Sequence, residues 1–399
     1  MYIASEIAPL KKVILNRPKV SLNRLTPSNC KELLFDDVLW PERAGEEHDA
    51  FSATLKDQGV ETYLVGKLLY ETLDNPKARE YLINNIFPSE FKETTIEEWA
   101  RKFLLLTPNS QDIIDYILGG FTINDLRYQV QDLPSKALSP TDFILPPLPN
   151  LLFTRDSSTW IKDGLSINCM TYPARRSEIF IMATIYKYHP MFKDIEILYD
   201  STVGTNRASI EGGDIQVLSE DYLFIGLSQR TKPHAVQRLA HALFERGKIS
   251  HVIAVELPKQ RATMHLDTML TMLDHDTFCT IIDKDTPIRS WIIQPSSKRG
   301  ELSIKESKDF FGIVSKAIGV KNINLVTVGT DAFNTEREQW TDGSNLLTVK
   351  PGVVVGYECN TETNKKLKNE GIEVLPIPSG ELGRGRGGSH CMSCPILRE

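Results

Sequence analysis

Cysteine is scarce in this chain, with six in 399 residues. So few thiols over such a length do not form a disulfide scaffold, and reduced cysteines in a cytoplasm are the simpler expectation. Long apolar runs are missing as well. None approaches the roughly 18 residues that mark a membrane span, so no membrane association is expected. Residues Met1 to Pro18 lack the basic start, apolar block and small-residue cleavage site of a secretory signal, and none is expected. An excess of positive charge is also absent: 46 Lys and Arg against 52 Asp and Glu leave a net charge of −6. That balance argues against a nucleic-acid partner, which calls for a basic face. What remains is an ordinary globular composition, 41% apolar and 25% charged. Its length implies two domains, or one large repeat architecture with an insertion.

A unit recurs along the chain: strand, tight turn, strand, helix, short strand. One copy opens at Leu151-Leu-Phe-Thr-Arg-Asp156 and turns at Lys162-Asp-Gly164; its helix runs from Arg175 to Tyr188 and its last strand from Ile195 to Leu198. A second opens at Glu211-Gly-Gly-Asp214, with a helix near Pro233 to Arg246 and a strand at Val252 to Val255. A third opens at Met264-His-Leu-Asp267, with a helix near Lys305 to Ala317 and a strand near Leu325. A fourth opens at Trp340-Thr-Asp-Gly-Ser-Asn345 and ends in Ile372 to Leu375. The turns carry the Gly, Asp and Pro that two-strand ribbons need. Repeats built from one supersecondary unit each imply blades around an axis.

The fifth unit is split across the termini. Leu10 to Asn16, the helix Glu46 to Lys56 and Val60 to Val65 supply part of it, and Cys391 to Leu397 the missing strand. Such closure removes an exposed sheet edge. Residues from about Leu73 to Pro146 break the pattern and are helical in character, as at Ile96 to Leu105 and Gln111 to Leu118. The expected architecture is therefore an α/β five-bladed ββαβ propeller, residues 1–73 and 147–399, with an inserted helical-bundle domain, residues 74–146.

Acidic and imidazole groups recur where the first strand of each unit begins: Asp156, Glu211 with Asp214, His265 with Asp267, and Asp342. Any one of them can be a strand-start turn or a solvated loop residue. Their recurrence places them together on an axis, and His265 and Asp267, two apart on a strand, are expected to face the same side. Cys391 follows a Gly-rich run, Gly380-Glu-Leu-Gly-Arg-Gly-Arg-Gly-Gly388. That run lacks the Gly-Lys-Ser/Thr ending of a phosphate loop and reads as a flexible segment beside a cavity. Cys391 and Cys394 form a Cys-x-x-Cys without a second pair or a following helix, which disfavours zinc and redox readings. Only one His stands in the acidic set, so no metal is expected. The competing reading of Cys391 is a small buried strand cysteine.

The segments Phe35-Asp-Asp-Val38, Asn150-Leu-Leu-Phe-Thr-Arg-Asp156, Glu211-Gly-Gly-Asp214, Met264-His-Leu-Asp-Thr268, Glu338-Gln-Trp-Thr-Asp-Gly-Ser-Asn345 and Gly387-Gly-Ser-His-Cys-Met-Ser393 closely resemble arginine deiminases. The resemblance covers almost the whole chain. It implies the guanidine-modifying (pentein) superfamily, a five-bladed propeller, and hydrolysis of free L-arginine to citrulline and ammonia without a cofactor. It makes Cys391 the nucleophile and His265 the general acid and base. Asp156 and Asp267 would clamp the guanidinium, with Glu211 alongside. Arg175 and Arg230 would hold the substrate α-carboxylate. Asn150 and Phe153 would belong to the substrate shell, and Arg386 would be a mobile gate. His390 and Cys394 stand where many relatives carry Arg and Met, and neither receives a role. A cytoplasmic homo-oligomer, dimer or tetramer, acting first in arginine catabolism is the corresponding expectation.

The chemistry is demanding because guanidinium spreads its charge over three nitrogens and stays protonated. Carboxylates can fix it through paired hydrogen bonds, and a thiolate can then attack its carbon. Neighbouring carboxylates should raise the Cys391 pKa, so the cationic substrate itself is expected to promote thiolate formation. The alternatives are an amidinotransferase with the same residues, a dimethylarginine hydrolase, which is usually shorter and would lack the helical insertion, and a non-catalytic arginine-binding protein. Retention of Cys391, His265, Asp156, Asp267 and Glu211 together argues against the last.

Overall fold

A computed structural model describes residues 1–126, 133–204, 208–283, 286–298 and 300–399. Five of its sheets share one plan, in which a middle strand runs antiparallel to one neighbour and parallel to the other. Leu10–Leu15 pairs antiparallel with Cys394–Arg398 and parallel with Glu61–Leu64, so the two ends of the chain meet in one sheet. Gly164–Ile167 stands between Ser158–Ile161 and Glu196–Asp200. Tyr222–Leu227 stands between Ile215–Ser219 and His251–Glu256. Thr277–Thr280 stands between Leu270–Met272 and Asn324–Thr327. Val353–Tyr357 stands between Leu347–Lys350 and Glu373–Ile377.

The physical reason lies in the strand sequences and their connections. The middle strands are largely buried, and in Tyr222–Leu227 the run Leu223, Phe224 and Ile225 is wholly buried, as a strand covered on both faces requires. The parallel partner must be reached by a crossover, which a helix supplies. The crossovers contain Pro41–Asp57, Glu178–Tyr188, Pro233–Glu245, Phe310–Ile318 and Thr361–Asn369.

Three sequence expectations need correction. The helix expected from Lys305 begins only at Phe310, capped by Asp309, whose Oδ1 accepts from the Gly312 N–H at 2.9 Å. The alternating Leu302–Ser307 segment instead pairs with Ser290–Pro295, and this hairpin extends the third sheet to five strands. The helix expected from Arg175 to Tyr188 breaks at Ser177 into Pro173–Arg176 and Glu178–Tyr188. The last strand starts at Cys394, not Cys391. Residues 388–393 form a turn, with the Met392 N–H bonding Gly388 O at 3.1 Å and the Ser393 N–H bonding His390 O at 3.2 Å.

The segment between the first and second sheets is mostly helical: Val65–Leu73, Pro76–Asn85, Thr95–Leu106 and Ser110–Gly119. Val65–Leu73 and Pro76–Asn85 pack on Glu178–Tyr188, and one apolar cluster joins Leu69, Ile83, Leu104 and Ile117 to Trp160, Leu165 and Ile181. Glu178–Tyr188 is consequently buried on every side through Tyr186, with Ile179, Ile181 and Ile185 each at 1% exposure or less. Burying each such side chain stabilises by about 1.5–3 kcal/mol.

Candidate active site

The loops that precede the first strands carry the chemistry. Each is a tight turn followed by a strand. Pro149–Leu152 leads through Asp156 to Ser158, Gly212–Asp214 to Ile215, and Leu266–Thr268 to Leu270. His265 and Asp267 are therefore not two residues of one strand, as expected. They flank and enter a single helical turn, held by the Thr268 hydroxyl donating to His265 O at 2.7 Å. The turn aims them at different partners. Asp214 holds the turn in place, its Oδ1 accepting from the Leu266 N–H at 2.9 Å and its Oδ2 from the Ser228 hydroxyl at 2.6 Å.

Cys391 is buried and fixed at both ends. Its N–H donates to Asn345 Oδ1 at 3.0 Å, and Asn345 Nδ2 donates to its sulfur at 3.1 Å. The thiol also donates to Asp267 Oδ2 at 3.4 Å. Burial raises its pKa well above the ordinary value, and Asp267, Asp156 and Asp342 push it further. Cys391 therefore rests as a thiol.

His265 lies between acids. Its Nε2 is 2.9 Å from Glu211 Oε2, and its Nδ1 is 3.7 Å from Asp156 Oδ1. Burial alone would lower its pKa, but Asp156 and Glu211 outweigh that and raise it to about 9. The ring is protonated at neutral pH. Gly213 permits this approach: a Cβ there would lie 2.7 Å from His265 Nδ1. Glu211 is fully buried, yet Arg230 and His265 overcome the cost of burial and hold it ionised. It accepts from Arg230 Nη1 at 3.2 Å and from the Thr171 N–H at 2.9 Å.

Asp156 accepts from Arg175 Nη1 at 2.5 Å and from the Gly213 N–H at 3.0 Å. Arg175 also bonds Glu178 through Nη2 at 2.9 Å and donates to the carbonyls of Asn150 and Phe153. Arg230 lies 4.8 Å from the Tyr172 ring, with its buried Nε unpartnered. Asp267 keeps one oxygen, Oδ1, without a partner. The Asn150 amide is occupied by Leu33 O at 2.6 Å.

Asn150, Phe153, Asp156, Arg175, Arg230, His265, Arg386 and Cys391 line one cavity. Glu211 and Asp267 do not line it; they hold His265 and Cys391 from outside its wall. The cavity has a volume of about 10 Å³, room for one water. Arg386 closes it from a left-handed backbone conformation (φ 61°), its guanidinium 3.6 Å from the centre of the Trp340 ring and two of its nitrogens unpartnered. Gly387 is required there, because a Cβ would run into the Phe153 ring.

Several groups here make contacts that no local sequence pattern signals. Asn345 lay within a recognised motif, but its contact with Cys391 has no sequence signal. Asp342 was legible as a recurring acid; it is buried, with one oxygen unpartnered, and burial lifts its pKa to about 7. His390, to which the family resemblance assigns no role, bonds Asp267 through Nδ1 at 2.8 Å. Glu6 and Arg155 meet it from distant parts of the chain.

Asp156, Glu211 and His265 present ligand atoms within 4.8 Å of one another, the spacing of a three-ligand metal site. A protonated imidazole has no lone pair to give, and Arg175 and Arg230 already occupy the carboxylates. The donor set fits a hydrogen-bonded charge network, not a cation.

Solved structures share the fold at low identity. A dimethylarginine dimethylaminohydrolase from Pseudomonas aeruginosa, complexed with citrulline, is 17% identical, with a TM-score of 0.54 over 97% of this chain and 100% of that one. An amidinotransferase of the saxitoxin biosynthetic pathway from Microseira wollei is 13% identical, with a TM-score of 0.55 over 100% and 97%. A cyanobacterial arginine dihydrolase domain bound to product is 11% identical, with a TM-score of 0.55 over 97% of each chain. The α/β fold is thus that of the pentein enzymes. The arginine deiminase family model matches residues 31–398, and the chain belongs to that family.

Proposed function

We propose that this chain hydrolyses free L-arginine to citrulline and ammonia through an S-alkylthiouronium ester on Cys391. The observation that carries the reading is a thiol and a protonated imidazole lining one cavity with the carboxylate of Asp156, while Glu211 and Asp267 hold them from behind its wall.

The substrate guanidinium pairs with Asp156 in the cavity, and the free Oδ1 of Asp267, behind the wall of the closed site, joins it once the site opens. Its charge offsets theirs, and Cys391 loses its proton to solvent. The thiolate attacks the guanidinium carbon, forming a C–S bond. His265 protonates one nitrogen of the tetrahedral adduct, and the C–N bond breaks to release ammonia. His265, now neutral, takes a proton from water, and the hydroxide adds to the same carbon. Collapse breaks the C–S bond and gives citrulline. Water plus argininium thus yields citrulline, ammonia and one proton. Arg230, with its unpartnered Nε, and Arg175 receive the α-carboxylate, with Asn150 and Phe153 around it. Arg386 must move, since a one-water cavity cannot admit arginine.

We also read the five sheets as the blades of a propeller formed by residues 1–73 and 147–399, with residues 74–146 as an inserted helical domain. What supports this is the shared strand plan and the delivery of Asp156, Glu211, His265, Asp267 and Cys391 by the loops before first strands.

The test is incubation with L-arginine in metal-free buffer. Equal citrulline and ammonia, abolished by Cys391→Ser, are expected. Urea with ornithine, or activity that survives the substitution, overturns the proposal. Added glycine converted to guanidinoacetate would establish the amidinotransferase reading instead.

A further inference from the structure

Two ionisable groups with no part in the steps above, His390 and Glu6, adjoin Cys391 through Asp267. Asp267 Oδ2, which accepts the Cys391 thiol, lies 2.8 Å from His390 Nδ1. The other ring nitrogen, Nε2, lies 3.3 Å from Glu6 Oε2. All three side chains are buried, at 0%, 3% and 6% exposure for Asp267, His390 and Glu6. Glu6 reaches this point because its backbone N–H bonds Val217 O at 2.9 Å, while its Oε1 accepts from the Val217 N–H at 3.2 Å. It precedes the stretch matched by the family model.

An ionised carboxylate only accepts hydrogen bonds, and a neutral imidazole has a single N–H to give. His390 has a carboxylate oxygen at each nitrogen. For Glu6, burial opposes ionisation, but His390 and Arg155 overcome it and hold the carboxyl at about 2. Asp267 is likewise driven below its ordinary range by His390, against the pull of burial. Both bonds are made only if both ring nitrogens carry protons. The charged groups facing the ring are Glu6 from the N-terminal segment, Asp267 from the 266–268 turn, and Arg155, whose Nε donates to His390 O at 3.3 Å. Arg398, on the final strand, adds a cation beside Glu6. Arg155 and Arg398 offset the two anions, so it is the pair of carboxylate contacts, one at each ring nitrogen, that calls for a doubly protonated ring.

We infer that Glu6 is a positioning residue: it keeps His390 a doubly protonated imidazolium, and that cation holds Asp267 as the anion that meets the substrate beside Cys391. The substrate half of this inference rests on the proposed arginine hydrolysis; the charge of His390 does not.

The experiment is ¹⁵N NMR of the full chain carrying labelled histidine, held at neutral pH, with His390→Asn identifying the His390 signals. Both His390 nitrogens should appear protonated in the wild type. Glu6→Gln keeps an acceptor for the Val217 N–H but puts an amide donor at His390, and should leave one ring nitrogen unprotonated. Glu6→Asp, which retains the charge, should restore the wild-type pattern. In turnover, Glu6→Gln should lower kcat about 10- to 100-fold, the effect of losing a charged hydrogen bond, and Glu6→Asp should recover most of it. A singly protonated His390 in the wild type overturns the inference, as does a Glu6→Gln spectrum identical to it. If Glu6→Gln does not fold, the wild-type spectrum still decides. A doubly protonated His390 in a protein that makes no citrulline overturns the reaction assigned above and supports the charge assignment.

Discussion

Asn345 grips Cys391 from two sides, accepting from its backbone N–H at 3.0 Å and donating to its sulfur at 3.1 Å. One amide thus sets where the nucleophile sits and offers a hydrogen bond to the thiolate when it forms. Asn345→Ala removes both contacts. A hydrogen bond to a charged group contributes about 1.5–3 kcal/mol, so kcat/KM for arginine should fall roughly 10- to 100-fold. Asn345→Asp should be worse, since it adds a further negative charge beside the sulfur. Steady-state kinetics on both variants checks the order.

The raised pKa of His265 makes stability depend on pH. A group whose folded pKa is above its unfolded one stabilises fully below the unfolded value, 6.5, and loses that contribution as pH rises through about 9. The contribution is on the order of 3 kcal/mol. Urea midpoints should drop between pH 7 and pH 10 in the wild type. His265→Asn should be less stable at pH 7 and show a much smaller drop. Activity should fall over the same window, because the proton for the leaving ammonia is gone.

The Cys391 thiol should stay protonated in the free protein at neutral pH, because burial, Asp267, Asp156 and Asp342 all oppose the thiolate. Thiolate absorbance, taken as the wild type minus Cys391→Ser, should show no anion at pH 7. A non-hydrolysable arginine analogue, bringing a cation into the site, should produce it. Thiolate already present in the free protein would contradict this electrostatic picture.

Gly387 lies against the Phe153 ring, with no room for a Cβ. Gly387→Ala forces the ring or the 385–388 segment aside, and overpacking of this kind costs about 1–3 kcal/mol. A lower melting temperature with a raised KM for arginine is expected. A variant as stable and active as the wild type would show that the segment relaxes freely.

What could be read from the sequence follows from periodicity and local turn chemistry. The strand–turn–strand–helix unit was visible because middle strands such as Tyr222–Leu227 and Val353–Tyr357 are apolar runs and its turns carry Lys162-Asp-Gly164 or Lys350-Pro-Gly352. Cys391, His265 and the carboxylates were visible because they recur at unit boundaries and sit in recognisable motifs. The Leu302–Ser307 strand was hidden: Lys305 and Glu306 suit a helix as well as an exposed ribbon edge, and only pairing with Ser290–Pro295 decides between them. Glu6 was hidden for a different reason. Its partner is 384 residues away, and no local pattern links a carboxylate in an N-terminal strap to the imidazole beside a C-terminal thiol. Arg175 was visible as a cation, but not its commitment to Asp156 and Glu178, which comes from the break in the helix at Ser177.

The covalent step can be caught directly. Protein turning over arginine labelled at the guanidino carbon is quenched in acid, digested and read by mass spectrometry. The label should appear on the peptide carrying Cys391 and on no other, and it should accumulate when the water-activating base is removed in His265→Ala supplied with imidazole at low pH. Label on a different residue, or citrulline formed with no label ever carried by the protein, would contradict a Cys391 thiouronium intermediate.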